Sequence, residues 1–111
     1  MTEIKSLIDL IGNTPLVQVK TFDTGVWNLL LKMEKMNPGS SIKDRVALKI
    51  SEDAEKTGEL RKNSTIVEAT AGNTGLGLAL IAKLKGYKAK VVILDKMNEN
   101  KVFHLQALGA E

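Results

Sequence analysis

The stretch VEATAGNTGLGLAL, residues 67–80, joins a strand-like run to an apolar helix-like run through a glycine turn. Gly72 and Gly75 lack a Cβ atom, so the backbone can turn sharply there and approach a ligand closely. The first amides of the following helix have no partner within the helix, and together with the helix dipole they form a site suited to an anion. Short polar side chains surround this turn, namely Thr70, Asn73 and Thr74.

Helices and strands alternate around this stretch. Because each strand is followed by a helix, the order favours a parallel α/β sheet with right-handed crossovers. The continuous apolar run AKVVIL predicts a strand that is buried on both faces. The predicted elements are a short helix at 4–10, strands at 16–19 and 27–34 joined by a turn at 23–25, a helix from 42 that ends at Gly58, a strand at 64–70, a helix at 76–85 before Gly86, a strand at 89–94, and a helix at 99–108 capped by Asn98.

Composition narrows the class of protein. The chain has 111 residues and a net charge of +3, with no block of like charge and only four aromatic residues of the Phe, Trp and Tyr types, which argues against nucleic-acid binding. It contains no cysteine, so a disulfide framework and a cysteine nucleophile are excluded. The N-terminus has no apolar run of signal length, and no stretch approaches about 20 apolar residues. We therefore expect a cytoplasmic protein without a membrane partner.

The glycine spacing does not identify the anion. The pattern G-x-x-x-x-G-K-[ST] of phosphate-binding loops is absent, and AGNTGLG spaces its glycines as G-x-x-G-x-G rather than the G-x-G-x-x-G of dinucleotide-binding folds. A carboxylate and a phosphate suit the helix amides equally well. A generic phosphate- or nucleotide-binding α/β module therefore remains an alternative.

The segment NPGSSIKDR, residues 37–45, places Lys43 in the first turn of a helix, where the helix dipole disfavours a cation. Burial and a nearby positive dipole both favour the neutral form of an amine, and a neutral amine can attack a carbonyl and form a Schiff base. The alternative is a solvated lysine without a chemical role. Ser41 and Asp44 form an S-x-x-D capping pattern, and for Arg45 we expect a surface contact. His104, the only histidine, is expected on a helix face rather than in catalysis.

Three segments resemble the front motifs of the cysteine synthase and cystathionine β-synthase family, whose members are fold-type II enzymes that use pyridoxal 5′-phosphate (PLP). These segments are IGNTPL (11–16), NPGSSIKDR (37–45) and EATAGNTGLGLALIA (68–82), and the resemblance extends over essentially the whole chain. It implies a three-layer parallel-sheet small domain, preceded by an N-terminal helix and short strands.

The resemblance also implies a domain organisation. Residues 1–36 correspond to a segment of the family's larger domain, and residues 37–111 to part of its smaller, mobile α/β domain. In the family, the loop that holds the PLP phosphate and the residue that contacts the ring nitrogen lie after the region matching residue 111. We therefore expect a truncated front portion of an enzyme whose full-length form is a homodimer.

The residues that match the family's motifs take their roles from the resemblance. Lys43 corresponds to the lysine that holds PLP covalently, and Asn73 to the asparagine that contacts the 3′-oxygen of the cofactor ring. The implied reaction is β-replacement on serine or O-acetylserine with a sulfur nucleophile, giving cysteine or cystathionine, with the released lysine removing the α-proton. The loop that grips the substrate carboxylate corresponds to Thr70, Ala71, Gly72, Asn73 and Thr74.

Two positions depart from the family's commoner pattern. Alanine stands at position 71, where serine is commoner, which removes one possible hydroxyl contact to the carboxylate. Ser40 replaces a glycine, which predicts an ordinary backbone angle at that residue. An alternative function is a non-catalytic fragment that cannot hold PLP alone and instead binds a partner or self-associates through its open sheet edge.

Overall fold

The computed structural model describes residue 3, residues 5–70 and residues 72–111. Its elements follow the predicted order, with short 3-10 turns in the N-terminal part. They are a 3-10 turn at Ile8–Leu10, β1 at Leu16–Val19, β2 at Leu29–Lys32, a 3-10 turn at Glu34–Met36, α1 at Lys43–Thr57, β3 at Thr65–Ala69, α2 at Asn73–Lys85, β4 at Lys88–Val92 and α3 at Glu99–Ala107.

The N-terminal helix predicted at 4–10 is the main difference. Ile4 lies outside the described residues, and the rest forms a single 3-10 turn, Ile8–Leu10. Ser6 and Asp9 hold this turn through side-chain bonds, the Ser6 N–H donating to an Asp9 carboxylate oxygen at 2.8 Å. The chain becomes extended at Ile11, so too few residues remain to offset the cost of nucleating an α-helix.

Strands β1 and β2 form an antiparallel hairpin, with Leu16 opposite Lys32 and Val19 opposite Leu29. The predicted turn is confirmed at its tip, where the Gly25 N–H donates to the side chain of Asp23 at 3.0 Å. The hairpin is apolar, but most of its large side chains are exposed in this chain.

The parallel α/β unit predicted from the alternating pattern is confirmed. Strands β3 and β4 pair in parallel, from Thr65 opposite Lys88 to Ala69 opposite Val92. Helix α2 packs against this sheet and also against α1 and α3, which explains why it is apolar on all sides. The core consists of Leu76, Ala79, Ala82, Ala89 and Leu105, with a second group of Ala47, Leu78 and Ile81.

The prediction that β4 is buried on both faces is wrong. Ala89 and Val91 face the helices, whereas Val92 is 57% exposed. The reason is that helices of the described residues cover only one face of this strand. The edge of β4 that faces away from β3 is partly paired with Glu111. The Glu111 N–H donates to the Ala89 carbonyl at 3.0 Å, and the Val91 N–H donates to the Glu111 carbonyl at 2.8 Å. This is the bonding pattern of a parallel strand.

The residues that the structure describes lack two kinds of feature. None of their helices is long and apolar enough to cross a membrane. The same residues contain no group of three or more His, Cys, Asp or Glu side chains placed to hold a metal ion.

Candidate functional site

A network of hydrogen bonds ties the segment around Lys43 to the N-terminal part of the chain. Glu34 accepts two bonds from the Arg45 guanidinium, at 2.8 and 2.9 Å, and one from the Thr14 hydroxyl at 2.6 Å. The Asn37 amide donates to Glu34 at 2.9 Å and its oxygen accepts from the Gly12 N–H at 2.8 Å. We call Gly12, Thr14, Glu34, Asn37 and Arg45 the polar brace.

The electrostatics of the polar brace favour the ionised pair. Hydrogen bonds from Arg45, and then from Thr14, lower the pKa of Glu34 to about 2. The same interaction with Glu34 raises the pKa of Arg45. Arg45 therefore does more than make the surface contact that we expected, because it joins α1 to the segment that contains the IGNTP motif.

Lys43 is the first residue of α1, and its side chain is exposed in this chain. Its backbone N–H donates to the Ser41 hydroxyl at 3.1 Å, but the N-cap residue is Ile42 and no side chain caps the helix, so Ser41 is not the N-cap that the S-x-x-D pattern predicts. The second half of the predicted capping pattern is also wrong. The Asp44 carboxylate does not bond to Ser41 but accepts from the Gly39 N–H.

Ser40 also differs from the prediction. Its φ is +64°, in the left-handed region, rather than the ordinary backbone angle expected of a residue that replaces glycine. Ser40 ends a turn that is closed by the bond from its N–H to the Asn37 carbonyl at 2.7 Å, and it lies three residues before the start of α1. Lys43 thus follows a tight turn that contains one strained residue.

The glycine turn between β3 and α2 forms the second part of the site. Thr70 continues the strand pairing through its N–H, which donates to the Val92 carbonyl at 3.0 Å. Its hydroxyl accepts from the Gly72 N–H at 3.2 Å, and α2 begins at Asn73. A Cβ on Gly75 would overlap the Thr70 methyl group, so the close contact requires glycine. Ala71 lies outside the described residues.

A close approach of α1 and α2 brings the two parts together. A Cβ at Gly77 would lie 2.9 Å from the Lys43 carbonyl oxygen and 3.2 Å from the Ala47 Cβ. Gly77 comes four residues after Asn73, which is about 6 Å along a helix axis. The first residue of α1 therefore lies beside the first turns of α2, where the helix amides face outward.

One hollow adjoins the carboxyl ends of β3 and β4, where ligands bind in open α/β sheets, and a second lies along the loop from β4 to α3. One, of about 280 Å³, is lined by Ala69, Thr70, Val92, Ile93 and Leu94. The other, of about 290 Å³, is lined by Leu94, Lys96, Met97, Asn98 and Lys101. Lys43 lines neither of these hollows. The Lys101 amine lies 3.8 Å from the position that a Cβ on Gly72 would take, which adds a cation beside the glycine turn.

These features suit two ligands, a cofactor that carries an aldehyde group and a substrate that carries an anionic group. Lys43 offers an exposed primary amine, and α2 begins beside Gly72 with no side-chain cap bond at its N-terminus. Among the described residues, no group of His, Cys, Asp or Glu side chains is placed to hold a metal ion. Lys43 thus offers an amine for an aldehyde group, and the start of α2 offers amides for an anion, while the roles of Lys43 and Asn73 toward PLP stay predictions.

A parallel α/β unit with a lysine at one helix start and a glycine turn at the next suits an enzyme domain that binds a carbonyl cofactor and an amino acid. The chain belongs to the family of pyridoxal-phosphate-dependent enzymes, because the model of that family matches residues 7–111. The resemblance, the fold class and the cofactor of the family are thereby confirmed.

The chain is similar to known enzymes of sulfur amino-acid metabolism and to a solved structure. It is 46% identical over 109 residues to a cysteine synthase of Flavobacterium, covering 98% of this chain and 36% of that protein. It is 45% identical over 111 residues to cystathionine beta-synthase of Mus musculus, covering 97% of this chain and 20% of that protein. The crystal structure of a hydrogen sulfide-producing enzyme from Fusobacterium nucleatum has a TM-score of 0.92 at 49% identity, over 98% of this chain and 36% of that one. The chain thus spans about a third or less of these relatives.

The polar brace was not predicted from the sequence. Thr14, Asn37 and Arg45 lie within the segments IGNTPL and NPGSSIKDR, so their presence there was the available signal. Glu34 lies outside those motifs and gave no signal. The individual roles of Lys43 and of residues 70–74, and the domain division at residue 36, stay predictions.

Proposed function

We propose that the protein carrying this chain is a PLP-dependent enzyme of β-replacement. It would exchange the β-substituent of serine or O-acetylserine for a sulfur nucleophile, giving cysteine or cystathionine. The observation that carries the proposal is the contact at Gly77, which puts the backbone of Lys43 beside the amide-rich start of α2. Relatives named cysteine synthase and cystathionine beta-synthase support the choice of reaction.

The assigned roles follow from the chemistry of each group. When bound, PLP supplies an electron sink for the carbanion that forms at the substrate α-carbon. We assign the ε-amine of Lys43 to hold the cofactor and to accept the substrate α-proton, which requires its neutral form. The side chain of Asn73, at the start of α2, is assigned to bind the 3′-oxygen of the cofactor ring.

The glycine turn is assigned to the substrate carboxylate. Amides at the start of a helix bind anions through direct hydrogen bonds and through the helix dipole. The Gly72 N–H already donates to the Thr70 hydroxyl, so the amides assigned to the carboxylate are those at the start of α2, of which Thr74 is the second residue. With alanine at position 71, the carboxylate relies on backbone amides there rather than on a side-chain hydroxyl. Fixing this carboxylate orients the Cα–H bond toward the base.

The division of the chain forms part of the proposal. Residues 1–36 are assigned to the larger domain of the enzyme and residues 37–111 to its smaller, mobile domain. The polar brace crosses this boundary, so movement of one part would be transmitted to the helix that carries Lys43. A homodimer of the whole enzyme stays a prediction from the resemblance.

Trapping of the cofactor tests the proposal. The full-length protein is incubated with PLP, reduced with borohydride and digested, and the modified lysine is located by mass spectrometry. We expect the added mass on Lys43, and we expect Lys43→Ala to lose both the added mass and product formation from O-acetylserine with sulfide or from serine with homocysteine.

Lys49→Ala is the matched control, because Lys49 is an exposed lysine of the same helix, paired with Asp53 at 2.6 Å. It should leave trapping and turnover unchanged. Full activity of Lys43→Ala, or trapping on another lysine, would refute the assigned role. The two substrate pairs also distinguish a cysteine synthase from a cystathionine β-synthase.

One observation favours a second candidate, self-association of the chain. At the hairpin tip, Val26 is 90% exposed and Trp27 is 78% exposed. Sedimentation of wild type and Trp27→Ser distinguishes the candidates. Self-association predicts oligomers that Trp27→Ser dissociates, with no PLP bound, whereas the enzyme proposal predicts PLP on Lys43 in both proteins.

A further inference from the structure

The carboxyl group of Asp44 is buried next to the residue assigned to the cofactor. Asp44 is 0% exposed, the lowest value possible, although the adjacent Lys43 is exposed. Its Oδ2 accepts a hydrogen bond from the Gly39 N–H, and its Oδ1 has no partner. Burial raises the pKa of this carboxyl, and the bond from Gly39 partly offsets that effect.

The unpaired oxygen lies in a tight contact rather than in a cavity. A Cβ on Gly39 would overlap Oδ1, so the carboxyl occupies the space that a side chain would need. Gly39 has an ordinary φ, unlike the glycines in the left-handed region. Glycine is therefore required at this position because of the carboxyl of Asp44 and not because of a special backbone angle.

This contact closes a short loop that contains Lys43. Asp44 reaches back five residues to Gly39, while the Ser40 N–H bonds to the Asn37 carbonyl at 2.7 Å. The polar brace holds the same segment at Asn37 and Arg45. Lys43 therefore lies within a segment that is fixed on both sides, and Asp44 provides the fixed point nearest to it.

Stability alone is a poor reason for this arrangement. A buried carboxyl with one unpaired oxygen costs free energy that an apolar side chain of similar size would avoid. The start of α1 already has a side-chain bond, from the Lys43 N–H to the Ser41 hydroxyl. The cost is understandable if the carboxyl serves to hold the turn in one conformation.

We propose that Asp44 is a positioning residue that sets the location of the Lys43 amine by locking the Gly39–Asp44 loop. This inference rests on the proposed function, because it concerns the same lysine. Asp44 does not touch the cofactor in this scheme. Asp44 instead affects how fast the Lys43 amine reacts, because it fixes the position of the amine. Small displacements of a reacting group lower reactivity strongly.

The first experiment measures the lock without the cofactor. Amide hydrogen exchange at Gly39 is followed in the full-length protein and in Asp44→Ala. Loss of a hydrogen bond to a carboxylate acceptor should speed exchange at Gly39 by about tenfold or more. Unchanged exchange at Gly39 would show that the lock does not exist and would overturn the proposal.

The second experiment measures the rate of borohydride trapping of PLP on Lys43, well below the unfolding temperature of every variant. Asp44→Ala should slow trapping by about tenfold. Asp44→Asn keeps one acceptor oxygen and the side-chain volume, so it should restore most of the rate. Gly39→Ala displaces the carboxyl from the other side and should slow trapping like Asp44→Ala.

Ser51→Ala is the matched control. Ser51 is buried on the same helix and its hydroxyl also has no partner, but it lies eight residues beyond Lys43. This variant should leave trapping unchanged whatever its effect on stability. Equal slowing in Ser51→Ala and Asp44→Ala would mean that general destabilisation is the cause, and the proposal would be wrong.

The outcomes separate the two proposals. Wild-type trapping on Lys43 with equally fast trapping in Asp44→Ala overturns only the role of Asp44. Equal loss in Asp44→Asn and Asp44→Ala also overturns it, because charge rather than position would then matter. Absence of trapping on Lys43 in wild type overturns both proposals.

Discussion

Replacing Gly77 by alanine sets two effects of opposite sign against each other. Gly77 lies inside α2, where alanine is favoured over glycine by about 1 kcal/mol in helix propensity. The new Cβ would lie 2.9 Å from the Lys43 carbonyl oxygen and 3.2 Å from the Ala47 Cβ. Propensity alone predicts a more stable protein, whereas the packing of α1 on α2 predicts a less stable one.

The structure indicates that packing dominates. The atom closest to the new Cβ belongs to the backbone of Lys43, so it cannot rotate away as a side chain would. Overpacking of a tight contact costs about 1–3 kcal/mol, and a rigid neighbour places this case in the upper part of that range. After subtraction of the propensity gain, we expect a net loss of about 1–2 kcal/mol, or a fall in Tm of about 4–16 °C.

Thermal unfolding followed by far-ultraviolet circular dichroism measures the net effect. The variant is also made in an Ala47→Gly background, where one of the two close contacts is absent. The cost of Gly77→Ala should become smaller there without vanishing, because the Lys43 carbonyl remains. An increase in stability of about 1 kcal/mol, as propensity alone predicts, would show that the helices do not approach closely at Lys43.

Two further predictions concern the turn and the polar brace. Because the pKa of Glu34 lies at about 2 and below the usual 4.5, its contribution to stability is fully present above about pH 4.5 and is lost as the pH falls toward 2. Glu34→Gln should therefore flatten the fall in urea midpoint between pH 5 and pH 2.5, and an unchanged pH dependence would contradict the ion pair with Arg45. Ser40→Gly should raise the free energy of unfolding by about 0.5 kcal/mol. The left-handed backbone angle strains serine in the folded state, and relief of this strain outweighs the larger conformational entropy that glycine loses on folding. A lower urea midpoint in this variant would show that Ser40 is not strained.

The alternating elements of the α/β unit could be predicted because their signals are local. The starts and ends of helices depend on neighbouring residues, and Gly58 and Gly86 end α1 and α2 in the left-handed region as expected. Short elements at the N-terminus were less predictable. There the apolar spacing of a helix was present, but the segment was too short to form more than one 3-10 turn.

The burial of charged residues could not be predicted from their neighbours. Asp44 and Arg45 are adjacent in the sequence, yet one is fully buried and the other forms a half-buried ion pair. Their environments depend on Gly39 on one side and on Glu34 and Thr14 on the other. A pattern of charges at fixed spacing predicted a cap and a surface contact because it contains no information about these partners.

The sequence by itself determined the α/β order, the glycine positions and the three motifs that indicate the PLP-dependent family. Periodicity and turn chemistry are properties of short segments, so they can be recognised without the fold. Only the tertiary structure decided that α1 meets α2 at Gly77, that the polar brace joins the motifs, and that Asp44 is buried beside Lys43. Each of these contacts depends on the final positions of backbone segments, because it requires close approach of atoms that residue type alone does not bring together.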